Sequence, residues 1–163
     1  MAEYLYRSLG GMALSAGVEV GAELNDRAAG MLRCWGIDAT GHRPRRLTRE
    51  LCEAAGAIFA MGPLYLARLL AEHGWDLAGK CHLFADPFNL PAGFAAGEFL
   101  VRDPSFDPPP PEELTREFAW FRRRVAEIRA NLKEGRAERS RVVPASRYLG
   151  LLEEILRGLS LDS

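Results

Sequence analysis

The Asp-Pro steps Asp86-Pro87 and Asp103-Pro104 stand out among the residues that could do acid–base chemistry. A carboxyl group fixed in a turn can give a proton to a leaving group. Asp-Pro is also a common turn step with no chemical role. The dipeptide alone therefore does not select one of the two aspartates.

The nucleophilic and metal-ligating side chains are sparse. Cys34, Cys52 and Cys81 form no Cys-x-x-Cys pair, so neither a zinc site nor a disulfide framework is indicated. Cys34 and Cys52 fall on predicted helices and Cys81 on a predicted strand, and we expect all three to be buried structural thiols. His73 and His82 have no ligand partners at useful spacing, and we expect a surface and a core role for them. No metal or cofactor is predicted.

Charge and composition limit the classes of partner. The chain has 163 residues with Lys+Arg 21 and Asp+Glu 22, so we expect no general attraction to nucleic acid or membranes. No export signal or membrane-spanning run is evident, and a cytoplasmic protein is predicted. Arg43, Arg45, Arg46 and Arg49 could add positive field near an anionic substrate or bind nucleic acid, but a solvated loop flanking a helix is favoured. The oligomeric state is not indicated.

The elements that must position these groups alternate between short apolar strands and amphipathic helices. The first helix begins at the start of the chain, with Leu5, Leu9 and Met12 on one buried face, and residues 12–20 are predicted to be a strand. Further helices are predicted at 26–35 after the capping Asn25, through Ala55 after the capping Thr48, and from Pro63, in the first turn, to an end at Gly74. Buried strands are predicted at 57–61 and 80–85.

The remainder divides into a loop and two helices. Residues 86–111 are rich in proline and glycine and are predicted to be irregular. A long helix is predicted at 112–134, then a charged linker and an amphipathic helix at 146–159. The prediction is thus an α/β domain at 1–134, followed by a linker and C-terminal helix at 135–163.

The order of these motifs resembles that of the low-molecular-weight protein-tyrosine phosphatases. The resemblance is carried by Met1-Ala2-Glu3 opening a helix, Ser15-Ala16-Gly17, the 36–48 stretch from Gly-Ile-Asp through Gly-His-Arg to Leu-Thr, the strand ending at Met61, and Asp103-Pro104 before a long helix. It implies a three-layer, flavodoxin-like parallel sheet. His42 lies in the family-like loop.

The resemblance also implies a reaction. In the family, a nucleophilic Cys, five residues and an Arg form a phosphate-binding loop directly before Met-Ala-Glu, and an Asp in an Asp-Pro step protonates the leaving phenolate. The implied substrates are a phosphotyrosyl protein or a small aryl phosphate. Cys34, Cys52 and Cys81 are followed at the sixth position by Thr40, Ile58 and Pro87, so none starts such a loop.

The chain as given therefore lacks the nucleophile loop and the first, inner strand that leads into it. That strand would lie between the segments 12–20 and 57–61, and its loss would leave backbone groups unpaired. Either the true start lies upstream of Met1, or the chain is a decayed or repurposed relative. As given it is expected to be inactive.

Two residues are assigned roles by the resemblance. Asp103 matches the general acid, because it precedes the long helix as the family requires. Phe106 is a tentative wall of the substrate pocket, with core packing an equal alternative. The alternative functions are a non-catalytic binding or regulatory relative and, more weakly, an arsenate reductase, which would need shuttling cysteines that 62–74 does not contain.

Overall fold

The computed structural model describes residues 1–85, 111–133 and 157. It is an α/β chain whose described elements are five α-helices, one 3-10 helix and two strands. The elements are α1 (Ala2–Ser8), α2 (Asp26–Cys34), α3 (Arg49–Ala54), β1 (Ile58–Ala60), α4 (Pro63–His73), the 3-10 helix Trp75–Lys80, β2 (Cys81–Leu83) and α5 (Pro111–Lys133). The predicted α/β class is confirmed.

Backbone contacts divide the chain into two compact units. Among the described residues, the first unit contains 1–46 and 111–133, and the second contains 47–85 and residue 157. The predicted division at residue 134 stays a prediction, since residues 134–156 and 158–163 lie outside the described residues, as does the predicted helix at 146–159.

The first unit is built on the packing of α1 against α5. α5 buries an apolar stripe at helical spacing, comprising Phe118, Phe121, Val125 and Ile128. Leu5 of α1 and Leu32 of α2 are also buried. Trp35, directly after α2, contacts Phe118 edge to face at 6.1 Å between ring centroids.

Helix α1 is shorter than its hydrophobic pattern predicts. Gly10 has φ +78° and ends the helix. The Gly10 N–H donates to the Arg7 carbonyl at 2.8 Å, and the Gly11 N–H donates to the Tyr6 carbonyl at 3.1 Å. These are the two bonds of a glycine-terminated helix end. Since the chain turns away there, Leu9 and Met12 are exposed and only Leu5 is buried, so the predicted continuous face was wrong.

The predicted strand at 12–20 is also not formed. Within the described part of the chain, this segment makes one isolated parallel bridge, from Gly17 to Arg46, with the Gly17 N–H donating to the Arg45 carbonyl at 3.0 Å. A strand needs a ladder of such bonds. One bridge pairs too few backbone groups to make this segment a strand.

The second unit holds a two-stranded parallel sheet, in which Ile58, Phe59 and Ala60 pair with Cys81, His82 and Leu83. Helix α4 packs on this sheet and buries Leu66, Leu69 and Leu70, as predicted. Lys80 ties α3 to the start of β2, because its ammonium group donates to the Glu53 and Ala55 carbonyls, each at 2.9 Å. Both carbonyls lie at the C-terminal end of α3, where carbonyl groups have no hydrogen-bond donor within the helix.

The predicted helix caps are confirmed where the structure describes them. The Asn25 side chain accepts from the backbone N–H groups of Arg27 and Ala28, and the Thr48 hydroxyl accepts from that of Leu51. Pro63 occupies the first turn of α4, and Gly74, with φ +115°, follows its last residue. These side chains set the helix starts from the local sequence.

Candidate active site

The centre of the first unit's polar network is Glu3, in the first turn of α1. Its carboxylate accepts two hydrogen bonds from Ser15, one from the backbone N–H at 2.9 Å and one from the hydroxyl at 2.5 Å. Glu3 is 4% exposed. A buried carboxylate must be compensated by such donors. The two bonds therefore fasten the segment after α1 back onto the helix start.

Arg7 supplies a positive charge that compensates the buried negative charge of Glu3. One turn along α1, its guanidinium lies 2.9 Å from the Glu3 carboxylate and also donates to the Ala13 carbonyl at 2.9 Å. Burial by itself would raise the pKa of Glu3, but the hydrogen bonds from Ser15 and the charges of Arg7 and His42 together outweigh burial and lower it. Glu3 is therefore an anion at neutral pH.

The loop before α3 contacts α1 through His42. The His42 ring meets the Tyr4 ring edge to face, with 5.6 Å between centroids. A turn that includes Gly41, at φ +95°, carries His42, whose N–H donates to the Ala39 carbonyl at 3.0 Å. The family-like loop is therefore held at the first turn of α1, beside Glu3.

The cysteines do not supply a nucleophile among the described residues. Cys52 and Cys81 are buried as predicted, and burial raises the pKa of Cys52 and raises that of Cys81 to about 11. A thiol with so high a pKa is almost entirely protonated at neutral pH and is a poor nucleophile. Cys34 is exposed at the end of α2, so its predicted burial was wrong: it lies on the outer side of the helix whose inner side buries Ala28 and Leu32.

The four arginines of the predicted cluster lie in two different environments. Arg43, Arg45 and Arg46 are exposed, as expected for a solvated loop. Arg49 instead belongs to the second unit, where it pairs with Asp76 at 2.6 Å and Glu53 at 2.7 Å and donates to the His73 carbonyl. Arg49 therefore joins α3 to the 3-10 helix.

Neither described histidine of the second unit lies in a ligand cluster. His82 is buried and stacks on Phe59 with 5.2 Å between ring centroids, which confirms its core role. His73 is partly buried at the end of α4. Among residues 1–85 and 111–133, no group of three or more His, Cys, Asp or Glu side chains could hold a metal ion.

The residues assigned by the resemblance, Asp103 and Phe106, lie outside the described residues, as does Asp86. Their roles stay predictions. The structure instead reveals Glu3, to which the sequence pattern assigned no role. The sequence does contain a signal: Met1-Ala2-Glu3 and Ser15-Ala16-Gly17 both belong to the family resemblance, and the structure shows that they meet through the hydrogen bonds between Glu3 and Ser15.

The fold is similar to that of several solved phosphatases. YfkJ from Bacillus subtilis superimposes with a TM-score of 0.66 at 18% identity, over 82% of this chain and 86% of that one. The YwlE arginine phosphatase from Geobacillus stearothermophilus superimposes with a TM-score of 0.63 at 21% identity, over 84% of this chain and 86% of that one. The low-molecular-weight protein-tyrosine phosphatase from T. tengcongensis superimposes with a TM-score of 0.58 at 25% identity, over 77% of this chain and 84% of that one.

This chain therefore has the fold of the low-molecular-weight protein-tyrosine phosphatases. No protein-family model matches the sequence, and no curated protein does. Within the described residues, no helix is long and apolar enough to cross a membrane. At these identities, the similarity defines the architecture, while the chemistry must be argued from the residues.

Proposed function

We propose that this chain is the scaffold of a low-molecular-weight-type phosphatase that hydrolyses phosphotyrosine or small aryl phosphates, with its nucleophile in a Cys-x5-Arg loop ahead of Met1. The supporting observation is the shared fold. The network of Glu3, Ser15 and His42 lies at the start of α1, next to where that loop would join.

The proposed reaction has two steps. The loop thiolate attacks phosphorus, the bond to the aryl oxygen breaks, and the carboxylic acid of Asp103 gives its proton to the departing phenolate. Water then attacks the phosphocysteine, gives a proton to the Asp103 carboxylate, and releases inorganic phosphate and the thiolate. Phe106 is proposed to lie against the aryl ring. No metal or cofactor takes part.

The names of similar structures support the substrate class. One is described as Wzb of Vibrio vulnificus in complex with benzylphosphonate, which carries an aromatic ring and a phosphonate group. Another is a YwlE mutant with a phosphorylated active-site serine, in which the side chain that carries phosphate corresponds in role to the proposed nucleophile. Since YwlE is an arginine phosphatase, phosphoarginine is the substrate to compare with phosphotyrosine.

The 163 residues alone are proposed to be inactive. Cys52 and Cys81 are buried thiols with raised pKa values, and Cys34 is followed at the sixth position by Thr40 rather than Arg. The same observation supports the second candidate function, a non-catalytic binding or regulatory protein on this fold.

Adding the missing segment tests the proposal. A strand and a Cys-x-Gly-Asn-x-Cys-Arg-Ser-Pro loop joined directly to Met1 should create aryl phosphatase activity that the 163-residue chain lacks. A serine in place of the loop's first cysteine is the matched control and should abolish it. Asp103→Asn should lower kcat about 10²-fold or more for substrates with poor leaving groups, whereas Asp86→Asn should not.

Two outcomes would overturn the proposal, and a third would change its substrate class. Turnover by the 163 residues alone would mean that the nucleophile lies within them. A restored chain that folds and stays inactive would favour the binding protein. Phosphoarginine hydrolysed faster than phosphotyrosine would replace the proposed substrate class.

A further inference from the structure

Residues 42–46, here called the arginine loop, carry three exposed positive charges. Arg43, Arg45 and Arg46 are exposed, and within residues 1–85, 111–133 and 157 none of them forms an ion pair. The sequence from 39 to 49 contains no Asp or Glu that could neutralise them locally. The three guanidinium groups are therefore available to an anionic ligand.

The arginine loop is held beside the start of α1. At one end of the loop, the His42 ring contacts the Tyr4 ring in the first turn of α1. At the other end, the Arg45 carbonyl accepts from the Gly17 N–H at 3.0 Å. Gly17 closes the segment that is bonded to Glu3 in the same first turn. Because the loop backbone is already fixed, a ligand that binds it loses little affinity to ordering the protein.

The arginines lie on the outward side of the loop. His42 and Pro44 are partly buried, whereas Arg43 and Arg45 are exposed. This alternation is that of an extended chain, in which residues two positions apart share one side. Pro44 fixes the geometry, because its ring holds its own φ and restricts the residue before it to extended conformations. Arg43 and Arg45 thus stand about 6.6 Å apart along the chain on one outward side.

The exposure of these arginines does not depend on where the chain begins. Alternate N–H groups of an extended segment point to the same edge, and on the segment 12–17 the Ser15 and Gly17 N–H groups are already bonded to Glu3 and Arg45. The inner strand that the family resemblance implies would therefore pair with the opposite edge. The arginine loop stays outside that pairing.

Carboxylates are the anions that this pair of arginines fits. A guanidinium group binds a carboxylate through two parallel hydrogen bonds. Alternate side chains of an extended peptide repeat at about 6.6 Å, which is the spacing of Arg43 and Arg45. Nucleic acid fits less well, because the proteins that bind it commonly contact about 6–10 phosphates, whereas this loop supplies three cations in a chain of net charge -1.

We propose that the arginine loop binds acidic side chains next to the phosphotyrosine of a protein substrate, with Arg43 and Arg45 as the residues that determine this specificity. The inference rests on the proposed phosphatase function, since the phosphate-binding loop would join α1 at the end where the arginine loop is held. It narrows the substrate to an acidic phosphotyrosyl segment rather than a small aryl phosphate.

The direct test is peptide binding by the 163-residue chain, which needs no nucleophile. Two fluorescent peptides each carry one phosphotyrosine, flanked on both sides either by glutamates or by glutamines, and fluorescence anisotropy gives the Kd of each. At about 0.1 M salt the acidic peptide should bind about tenfold more tightly, because each exposed ion pair contributes up to about fivefold. The difference should disappear at about 1 M salt, where exposed charges are screened.

Single substitutions locate the binding charges. Arg43→Gln and Arg45→Gln should each weaken binding of the acidic peptide about threefold and leave binding of the glutamine peptide unchanged. Lys133→Gln is the matched control, because Lys133 is also an exposed cation of the first unit. It lies one turn beyond Arg129, which donates to the Gly10 carbonyl at the far end of α1, so this variant should bind both peptides as the parent chain does. Far-ultraviolet circular dichroism establishes that each variant is folded.

The chain with a restored catalytic loop separates this inference from the proposed function. In that chain, Arg43→Gln and Arg45→Gln together should lower kcat/KM for the acidic phosphopeptide about tenfold through KM, and leave hydrolysis of a small aryl phosphate unchanged. A restored chain that hydrolyses both peptides equally well would overturn the arginine specificity but not the phosphatase function. A restored chain without any turnover would overturn the phosphatase function, while the peptide-binding comparison would still decide the role of the loop.

Three binding results would overturn the inference. An acidic peptide that binds no more tightly than the glutamine peptide would show that the loop does not recognise carboxylates. A Lys133→Gln variant that loses as much affinity as Arg43→Gln would show a general effect of charge. A polyuridine oligonucleotide that binds more tightly than the acidic peptide would assign the loop to nucleic acid.

Discussion

Glu3→Gln removes one charge from the centre of the first unit's polar network while keeping its shape. In the native chain the Glu3 carboxylate accepts the N–H and the hydroxyl of Ser15 and pairs with Arg7. A glutamine oxygen can still accept from Ser15, because both donors bind the same oxygen of Glu3. The variant therefore tests the charge itself rather than the presence of a side chain.

The expected magnitude follows from these contacts. A hydrogen bond to a charged group contributes about 1.5–3 kcal/mol, against about 0.5–1.5 kcal/mol for a neutral one, so two bonds lose about 2 kcal/mol. The ion pair with Arg7 adds only about 0.5 kcal/mol, because the arginine side chain is 45% exposed and screened by water. Burying the neutral glutamine costs less desolvation free energy than burying the charged glutamate, which offsets part of the loss. We expect a net loss of about 2 kcal/mol at pH 7.

The pH dependence gives a second, independent signal. The pKa of Glu3 in the folded chain lies below the value of about 4.3 that glutamate has in an unfolded chain. The unfolded state therefore binds the proton more readily, and the charge of Glu3 stabilises the fold above about pH 4.3. That stabilisation is lost as the pH falls through the folded-state pKa. The difference between the native chain and Glu3→Gln should thus shrink below pH 4.

The assay is urea denaturation of both chains from pH 3.5 to 7.5, followed by circular dichroism. Glu53→Gln is the matched control. Glu53 also pairs with an arginine four positions away, but its side chain is 57% exposed, so this variant should not differ measurably from the native chain. The reasoning would be refuted by a Glu3→Gln chain as stable as the native one at pH 7, or by a difference that does not change with pH.

Three further predictions concern thiols, a cap and the core. At pH 8, maleimide should modify Cys34 within minutes and reach Cys52 and Cys81 only in denaturant, because these two are buried and the pKa of Cys81 is raised to about 11. Asn25→Ala should lower the free energy of unfolding by about 1 kcal/mol, since it removes the side chain that caps α2. Leu66→Ala should lower it by about 2–5 kcal/mol by opening a cavity between α4 and the sheet. Mass spectrometry checks the first and urea denaturation the other two.

Controls for these variants lie on the same elements. Asn25→Asp keeps the cap and should retain most of the stability. Tyr65→Ala removes a large side chain from α4, but one that is 45% exposed, so its cost should be well below that of Leu66→Ala. Equal costs for the two α4 variants would contradict the inward orientation of Leu66, and rapid labelling of native Cys81 would contradict its burial.

Local sequence determined where most helices begin and end. Asn25, Thr48 and Pro63 mark helix starts because their side chains or rings act within one turn. The same holds for Gly74, which ends α4 with a positive φ. Such signals need no distant partner, and the order of the family-like motifs along the chain was enough to predict the phosphatase fold.

Where a group needs a partner that is distant in sequence, only the tertiary structure determined whether it is paired or buried. Residues 12–20 have a strand-like pattern, yet a strand requires a neighbour, and the described residues provide a single bridge at Gly17. Cys34 and Cys52 both lie on helices, but which of them is buried depends on what packs against each helix.

The role of Glu3 could not be derived from sequence spacing either. Its donors are twelve positions away at Ser15, and the sequence does not show that the chain returns to α1 after Gly10. The sequence by itself thus determined the helices and the fold. The tertiary structure decided which polar groups meet, because hydrogen bonds and burial depend on distances that sequence separation does not determine.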